Sequence, residues 1–278
     1  MFLRHCSFLI LSLAALPLLA VEVEPAKLAT ADAAPVDPGS LEVALSGGVT
    51  TASRVFGDDS DRGGRLREVG LGLGLTYGVA ENLDAAVGLG VTRVDDTASV
   101  PDHGQGLTDL ELGAKWAFAA WEAGEDRNVA LALLPAVILP LGRNHDDEES
   151  LPTASRAFAA GLAVAASGQV EAWSLNADVG QTRFIGSEED RGGTTGTTAA
   201  DAAVGYRISE TLQPEVNLSW ARDQVDEGEA PWAMTVTVGS QVFVGDYRLG
   251  LGVQQIVAAS DGSARATTVG VDVVTVFP

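Results

Sequence analysis

Two histidines of the chain stand beside carboxylates in a pattern that could supply general acid–base chemistry. His103 follows Asp102, and His145 precedes Asp146 and Asp147. A neighbouring carboxylate can orient an imidazole so that it accepts a proton, as in proteases and lipases. However, neither histidine is accompanied by a serine nucleophile motif. The pattern therefore predicts surface histidines among carboxylates, and the chain is not expected to be an enzyme.

A second set of polar side chains recurs at every other position of otherwise apolar segments. In a strand that crosses a membrane, a charged side chain is costly unless it lines water or pairs with another charge. Such residues therefore mark the inner face, or lumen, of a transmembrane barrel. Two interpretations remain open, a narrow polar pathway and a closed plug of salt bridges, and neither requires a metal ion or a cofactor. The predicted lumen residues are Glu68, Asp84, Asp109, Glu111, Lys115, Asp178, Asp201, Arg207, Glu215, Asn217, Arg248 and Asp272.

Residues 69–91 show which elements must hold these side chains. Val69, Leu71, Leu73, Leu75 and Tyr77 alternate with glycine and threonine, and the same alternation resumes after a turn at 80–82. A period of two places all the large apolar side chains on one face of a β-strand. Each strand reaches the roughly 9 to 11 residues that a tilted strand needs to cross a bilayer. One apolar face and one small polar face predict a transmembrane hairpin.

The connections between the alternating segments come in two kinds. Those at 57–64, 95–106, 142–153, 186–196 and 222–231 are long and acidic, whereas those at 80–82 and 209–211 are short. Long loops at one end and tight turns at the other are typical of outer-membrane barrels, with the long loops outside the cell. We therefore predict an all-β protein, a single closed antiparallel transmembrane barrel of about twelve strands. One of these strands is predicted over 107–119.

The N-terminus reads as a secretory signal. Arg4 precedes an apolar stretch that is too short for a membrane anchor, so we predict a signal peptide over 1–31, with cleavage after Ala20 or near Ala33 as alternatives. Residues 32–39 then form a flexible lead-in, and residues 40–278 form the barrel. These features predict the outer membrane of a Gram-negative bacterium as the location and its lipid as a partner.

Charge excludes one class of partner. The formal net charge is −21, with 38 acidic against 17 basic residues, so nucleic acid is not expected to bind. One segment departs from alternation, because residues 129–141 are apolar on both faces. Its inward Leu134 and Ile138 need cover, for which the lead-in peptide and an infolded loop are the candidates.

Three phrases of the sequence resemble a known family. They are TYGVAENLDAAVGLG at 76–90, GLTDLELGAKWAF at 106–118 and LLPAVILPLG at 133–142. They are similar to the outer-membrane β-barrel transporter family of the MetA-pathway of phenol degradation type, whose members carry a YGLTDNLEL turn, a GLGDLELGAKYRF strand and a following LPTG. The chain departs from that pattern by lacking the threonine of the last motif and by placing Pro278 after Phe277.

The resemblance implies a porin-like barrel, folded by the barrel-assembly machinery, for passive passage of small, often aromatic or hydrophobic compounds. It supplies no catalytic motif. Two alternatives from other classes remain: a non-conducting structural or adhesive barrel with a salt-bridged plug, and a barrel hydrolase. A sealed lumen would favour the first, and a nucleophile beside a histidine the second.

Overall fold

The computed structural model describes residues 32–55, 66–96, 103–124, 127–142, 153, 157–187, 193–260 and 264–278. Nearly all of them are in β-strands of 13 to 15 residues, apart from one short strand. No helix long and apolar enough to cross a membrane occurs among them. The strands are β1 (Leu41–Val55), β2 (Leu66–Ala80), β3 (Leu83–Asp96), β4 (His103–Leu107), β5 (Leu110–Gly124), β6 (Arg127–Leu139), β7 (Phe158–Val170), β8 (Trp173–Ile185), β9 (Thr194–Tyr206), β10 (Leu212–Val225), β11 (Trp232–Val244), β12 (Tyr247–Ala259) and β13 (Ala264–Phe277).

The sheet closes on itself. Strand β1 pairs with β13 on one side and with β2 on the other, β2 pairs with β3, and from β5 to β13 each strand pairs with the next one in the chain. Strands β4 and β5 lie end to end along β3, so together they occupy one position in the wall. The thirteen strands of the described residues therefore form a closed, twelve-stranded antiparallel barrel, which confirms the predicted fold.

The join between β4 and β5 interrupts the wall. The Thr108 amide donates to the Gly90 carbonyl at 2.9 Å, and the Thr108 hydroxyl accepts from the Gly90 amide at 2.8 Å. A Cβ at Gly90 would lie 2.7 Å from the Leu71 carbonyl oxygen on one side and 3.2 Å from the Thr108 hydroxyl on the other, so residue 90 has to be glycine. The strand predicted over 107–119 thus begins earlier, at His103, and reaches Gly124 with a break at 108–109.

Alternation sorts the side chains of each strand between two environments. In the β2–β3 hairpin Leu71 pairs with Val91 and Leu73 with Leu89. Leu71 is 64% exposed and Leu73 43%, and large apolar side chains on the same face of other strands are similarly exposed. Glycine, alanine and polar residues take the alternate positions, which face inwards. An apolar outer face with a small, polar inner face is the pattern of a barrel surrounded by lipid.

The two ends of the barrel differ. At one end, which we call the turn end, the connections are 81–82, 171–172, 207–211 and 245–246. Exposed aromatic side chains lie there, and the Trp173 and Tyr206 rings pack at 4.7 Å between centroids. At the opposite end, the loop end, the connection 226–231 is described. The predicted loops over 57–64 and most of 142–153, which contains His145, lie outside the described residues.

A tight turn joins β1 to the residues before it. The Ser40 amide donates to the Asp37 carbonyl at 3.0 Å, with Pro38 and Gly39 at the centre and Gly39 at a φ of +89°. Proline followed by a residue of positive φ is the preference of a type II turn. The turn doubles the chain back at the turn end, and residues 32–36, which we call the inner segment, run inside the barrel. The signal peptide predicted over 1–31 lies outside the described residues.

Candidate functional site

The structure places the predicted lumen residues on the inner face of the wall. Glu68, Asp84, Lys115, Glu215 and Asn217 are buried. The others are half-buried, and Arg207 lies one residue beyond the end of β9; these are Asp109, Glu111, Asp178, Asp201, Arg207, Arg248 and Asp272. Strand register brings some together as direct neighbours, such as Asp84 with Lys115 and Asp178 with Asp201. The lumen is therefore lined by carboxylates with few cations among them.

Lys115 connects the wall to the inner segment. Its ammonium lies 3.2 Å from Asp32 Oδ1 and 3.9 Å from Asp84 Oδ2, and it also donates to the Ala34 carbonyl. The Asp84 carboxylate accepts in turn from the Val36 amide, at 3.2 and 3.3 Å. Lys115 is 4% exposed and Asp32 0%. A charged group so deeply buried is tolerated when it is paired and hydrogen-bonded, and here most of the pairing comes from the segment.

An apolar patch lies beside this charge cluster. Ala33 packs against Ala132 of β6 and Ala165 of β7, with Ala130 and Leu134 around them. The Ala33 amide donates to the Ser167 hydroxyl at 2.8 Å. Strand β6 is apolar on both faces because its inner face is covered by the inner segment. Of the two candidates for the cover, the lead-in peptide and an infolded loop, the structure shows the lead-in peptide beside Leu134, while Ile138 is half-buried.

A separate polar cluster is built on β8, β10 and β11 nearer the turn end. The Gln213 amide donates to Glu215 Oε1 at 3.0 Å and to the Ser174 hydroxyl at 3.1 Å, and Gln241 donates to the same Glu215 oxygen. All four side chains are buried. Glu215 is thus held by amides of the wall. Hydrogen bonds to a carboxylate offset its desolvation and fix the side chains of this part of the lumen.

Arg207 marks the turn-end mouth of the lumen. Its guanidinium lies over the Phe243 ring, 4.6 Å from the centroid, and Phe243 pairs in register with Arg248. Partial burial lowers the pKa of the Arg207 guanidinium, while Glu210 acts in the opposite direction. Arginine nevertheless remains charged at neutral pH. The mouth therefore presents a guanidinium and an aromatic ring next to an acidic lumen.

Some inner residues were missed in the sequence. Glu42 is buried on the inner face of β1, where it alternates with Leu41, Val43 and Leu45. The same parity argument would have found it. Asp32 could not have been found this way, because the segment that carries it has no periodicity. Its position follows from a contact with Lys115, which is 83 residues away in the chain.

Comparisons with known proteins bear on the family. The protein-family model described as "Putative MetA-pathway of phenol degradation" matches residues 84–245, which is more than half of the chain. The solved structure of an outer-membrane channel from Pseudomonas putida F1 has a TM-score of 0.75 at 16% identity, covering 92% of this chain and 100% of that chain. A NanC porin structure has a TM-score of 0.52 at 12% identity, covering 82% and 98%.

No curated protein is matched by the sequence. At such identities, likeness to the two solved structures shows the fold alone, while the family rests on the match over residues 84–245. The two findings agree with the closed barrel and with the resemblance of the phrases at 76–142. The chain therefore belongs to the outer-membrane β-barrel family described as "Putative MetA-pathway of phenol degradation".

Proposed function

We propose that the protein is a passive channel of the Gram-negative outer membrane whose lumen is closed by its own inner segment. The observation that carries this proposal is the way the lumen is filled. Residues 32–36 pack against the wall through one ion pair, a few hydrogen bonds and contacts between alanines. No covalent bond has to break when these residues move, so the closure is reversible while the wall stays intact.

The permeants that fit this lumen are small and partly apolar. Displacement of the inner segment exposes the inner face of β6, which contributes Ala130, Ala132 and Leu134 beside the charged wall. Ligand sites in proteins combine such apolar surface with a few fixed polar groups. The family description, which refers to phenol degradation, supports the same class of compound.

Two measurements on the full chain refolded into lipid test the proposal. In a planar bilayer, we expect small conductance steps with short openings, because the segment occupies the lumen most of the time. In a liposome swelling assay, we expect uptake of small aromatic solutes to exceed that of sugars of similar size. A correctly folded barrel with no conductance and no uptake would contradict the proposal.

A non-conducting structural barrel is an alternative that also has an observation in its favour. The inner side chains of Glu42, Glu215, Asn217 and Gln241 are buried to 2% exposure or less, as they would be in a sealed structural barrel. The same two measurements distinguish the alternatives, because a sealed barrel stays silent even when the inner segment is displaced.

For a hydrolase, His103 is the described candidate base; it is exposed at the start of β4 and pairs in register with Asp95. Esterase assays of the refolded barrel would test that function.

A further inference from the structure

The part of the wall that holds the inner segment has the composition of a ligand site. Lys115 contributes a buried ammonium, and Ser167 contributes a hydroxyl. Between them Ala130, Ala132 and Ala165 form an apolar floor. A single cation, a single hydroxyl and a small apolar surface together suit a compound with one anionic group and a compact apolar body.

The inner segment occupies this site as such a compound would. The Asp32 carboxylate reaches the ammonium at 3.2 Å, and the Ala33 methyl group lies on the apolar floor. Together they present one anionic group adjoining one apolar group. The segment therefore shows both the charge and the shape that the wall accepts.

Departure of the segment changes the surroundings of Lys115. The ammonium would lose its contacts with the Asp32 carboxylate and the Ala34 carbonyl. Of the three contacts described above, the one with Asp84 at 3.9 Å would stay. An ammonium in a buried position is costly when its anionic partner is removed. A solute that supplies a carboxylate restores the pairing, whereas a neutral solute of the same shape does not. An anionic solute can therefore displace the segment at lower cost than a neutral one.

The neighbouring charges limit the solute to a single negative charge. Asp84 lies on one side of Lys115, and Glu42 is close enough to Asp84 to interact with it electrostatically. A second carboxylate on the solute would lie close to both of these carboxylates. Like charges at such distances repel strongly where water is scarce. The site should therefore reject dicarboxylates.

We propose that the wall around Lys115 is a binding site for small aromatic monocarboxylates, which compete with the inner segment for the same ammonium. This inference rests on the proposed channel function and names its substrate class. Benzoate is the simplest probe, because its ring matches the apolar floor and its carboxylate takes the place of Asp32. Binding of benzoate and release of the segment are then one event.

The test is a titration of the refolded full chain in detergent. A spin label on Asp37→Cys, an exposed position of the turn, in a chain whose Cys6 is changed to serine, reports the mobility of the segment, and calorimetry reports binding. We expect benzoate to bind saturably and to mobilise the label. Benzyl alcohol, benzylamine and phthalate, at the same concentration, should do neither.

Two variants separate the wall site from its internal competitor. Asp32→Asn keeps the wall and weakens the segment, so benzoate should bind roughly tenfold more tightly, as loss of one charge-assisted contact implies. The double variant Lys115→Met with Asp84→Asn removes the cation together with its wall partner, which keeps the charge balanced for folding. It should show no saturable binding, with its strand content checked by circular dichroism.

Three outcomes would overturn the inference: release of the segment by benzyl alcohol as readily as by benzoate, unchanged affinity of Asp32→Asn, or benzoate binding that survives in the double variant. Failure of the channel function would appear differently. Because binding in detergent requires no passage, a barrel that binds benzoate but does not conduct would leave this site standing and defeat the channel. Conductance without benzoate binding would defeat this site and leave the channel standing.

Discussion

A buried ammonium needs anions around it, and Lys115 obtains them from two parts of the chain. Asp84 is fixed in the wall, whereas Asp32 arrives with the inner segment. Removing one partner of a buried pair costs about 3 to 5 kcal/mol, because the other charge stays buried. The position of the segment is thus coupled to the charge of a single wall residue. A segment held by apolar contacts alone would have no such dependence.

The assignment of inner and outer faces can be tested on one strand. Leu73 lies at the centre of β2 and points outwards, so Leu73→Arg should cost about 2 to 4 kcal/mol of folding free energy in lipid. Gly70 is on the inward face, and a Cβ there would meet its nearest atoms at 3.8 Å, so Gly70→Arg should cost less than Leu73→Arg because its charge stays away from lipid. A denaturant titration of folding into vesicles measures both. Equal destabilisation would mean that the assignment of faces is wrong.

At the scale of elements, the turn at 37–40 controls where the inner segment lies. The Gly39 amide donates to the Gly78 carbonyl at 2.8 Å, and the Gly78 amide donates to the Ser40 carbonyl at 3.0 Å. A Cβ on Gly78 would lie 2.2 Å from the Asp37 carbonyl oxygen, which is closer than such atoms can approach. The turn therefore sits against β2 only because residue 78 has no side chain.

We expect Gly78→Ala to displace the turn and, with it, the inner segment. Single-channel conductance should rise and the openings should lengthen, because the lumen is then less often occupied. Gly70→Ala is the matched control, since it adds the same methyl group to the same face of β2 where there is room. A conductance that is the same in Gly78→Ala as in Gly70→Ala would show that the turn does not hold the closure.

At the scale of elements, a feature can be predicted from the sequence when its signal lies within a short stretch of the chain. The β2–β3 hairpin is predictable from alternation within about 25 residues, and its register pairs Leu73 with Leu89 as the pattern requires. The break at Thr108 depends on Gly90 in another strand, and the inner segment depends on Lys115. Such contacts join distant parts of the chain, and composition does not record them. Pro38 and Gly39 form a local turn signal, but residues 32–39 were predicted only as a flexible lead-in.

At the scale of the whole molecule, the orientation of the barrel in the membrane is a prediction that accessible cysteines can test. Glu227 is exposed at the loop end and Asp246 at the turn end. Each is changed to cysteine singly, and whole cells are treated with a thiol reagent that cannot cross the membrane. Glu227→Cys should react and Asp246→Cys should not. The reverse result would place the turn end outside the cell.

The charge of the lumen predicts its ion selectivity. Carboxylates outnumber cations on the inner face, and Asp178 and Asp201 lie directly opposite each other on neighbouring strands. Their field should favour cations at low salt, and the preference should fade as the screening length falls from about 10 Å at 0.1 M to about 3 Å at 1 M. The reversal potential under a KCl gradient measures it.

Two double variants locate the source of that selectivity. Asp178→Asn with Asp201→Asn should reduce the cation preference, and folding should not suffer, because like charges directly opposite each other on paired strands are unfavourable. Asp226→Asn with Glu227→Gln removes two exposed charges at the loop end and should change the reversal potential less. Anion preference in the unmodified protein would contradict the lumen assignment.

The four-residue turn that carries the inner segment also sets how hard the closure is to overcome. A group tethered so close to its site is present there at an effective concentration on the order of millimolar or more, whatever the amount of protein. A free solute that binds the site as tightly as the segment does must reach comparable levels before it takes the place of the segment for an appreciable fraction of the time. The length of the turn and the strength of the segment's contacts therefore together fix a threshold below which the barrel remains shut.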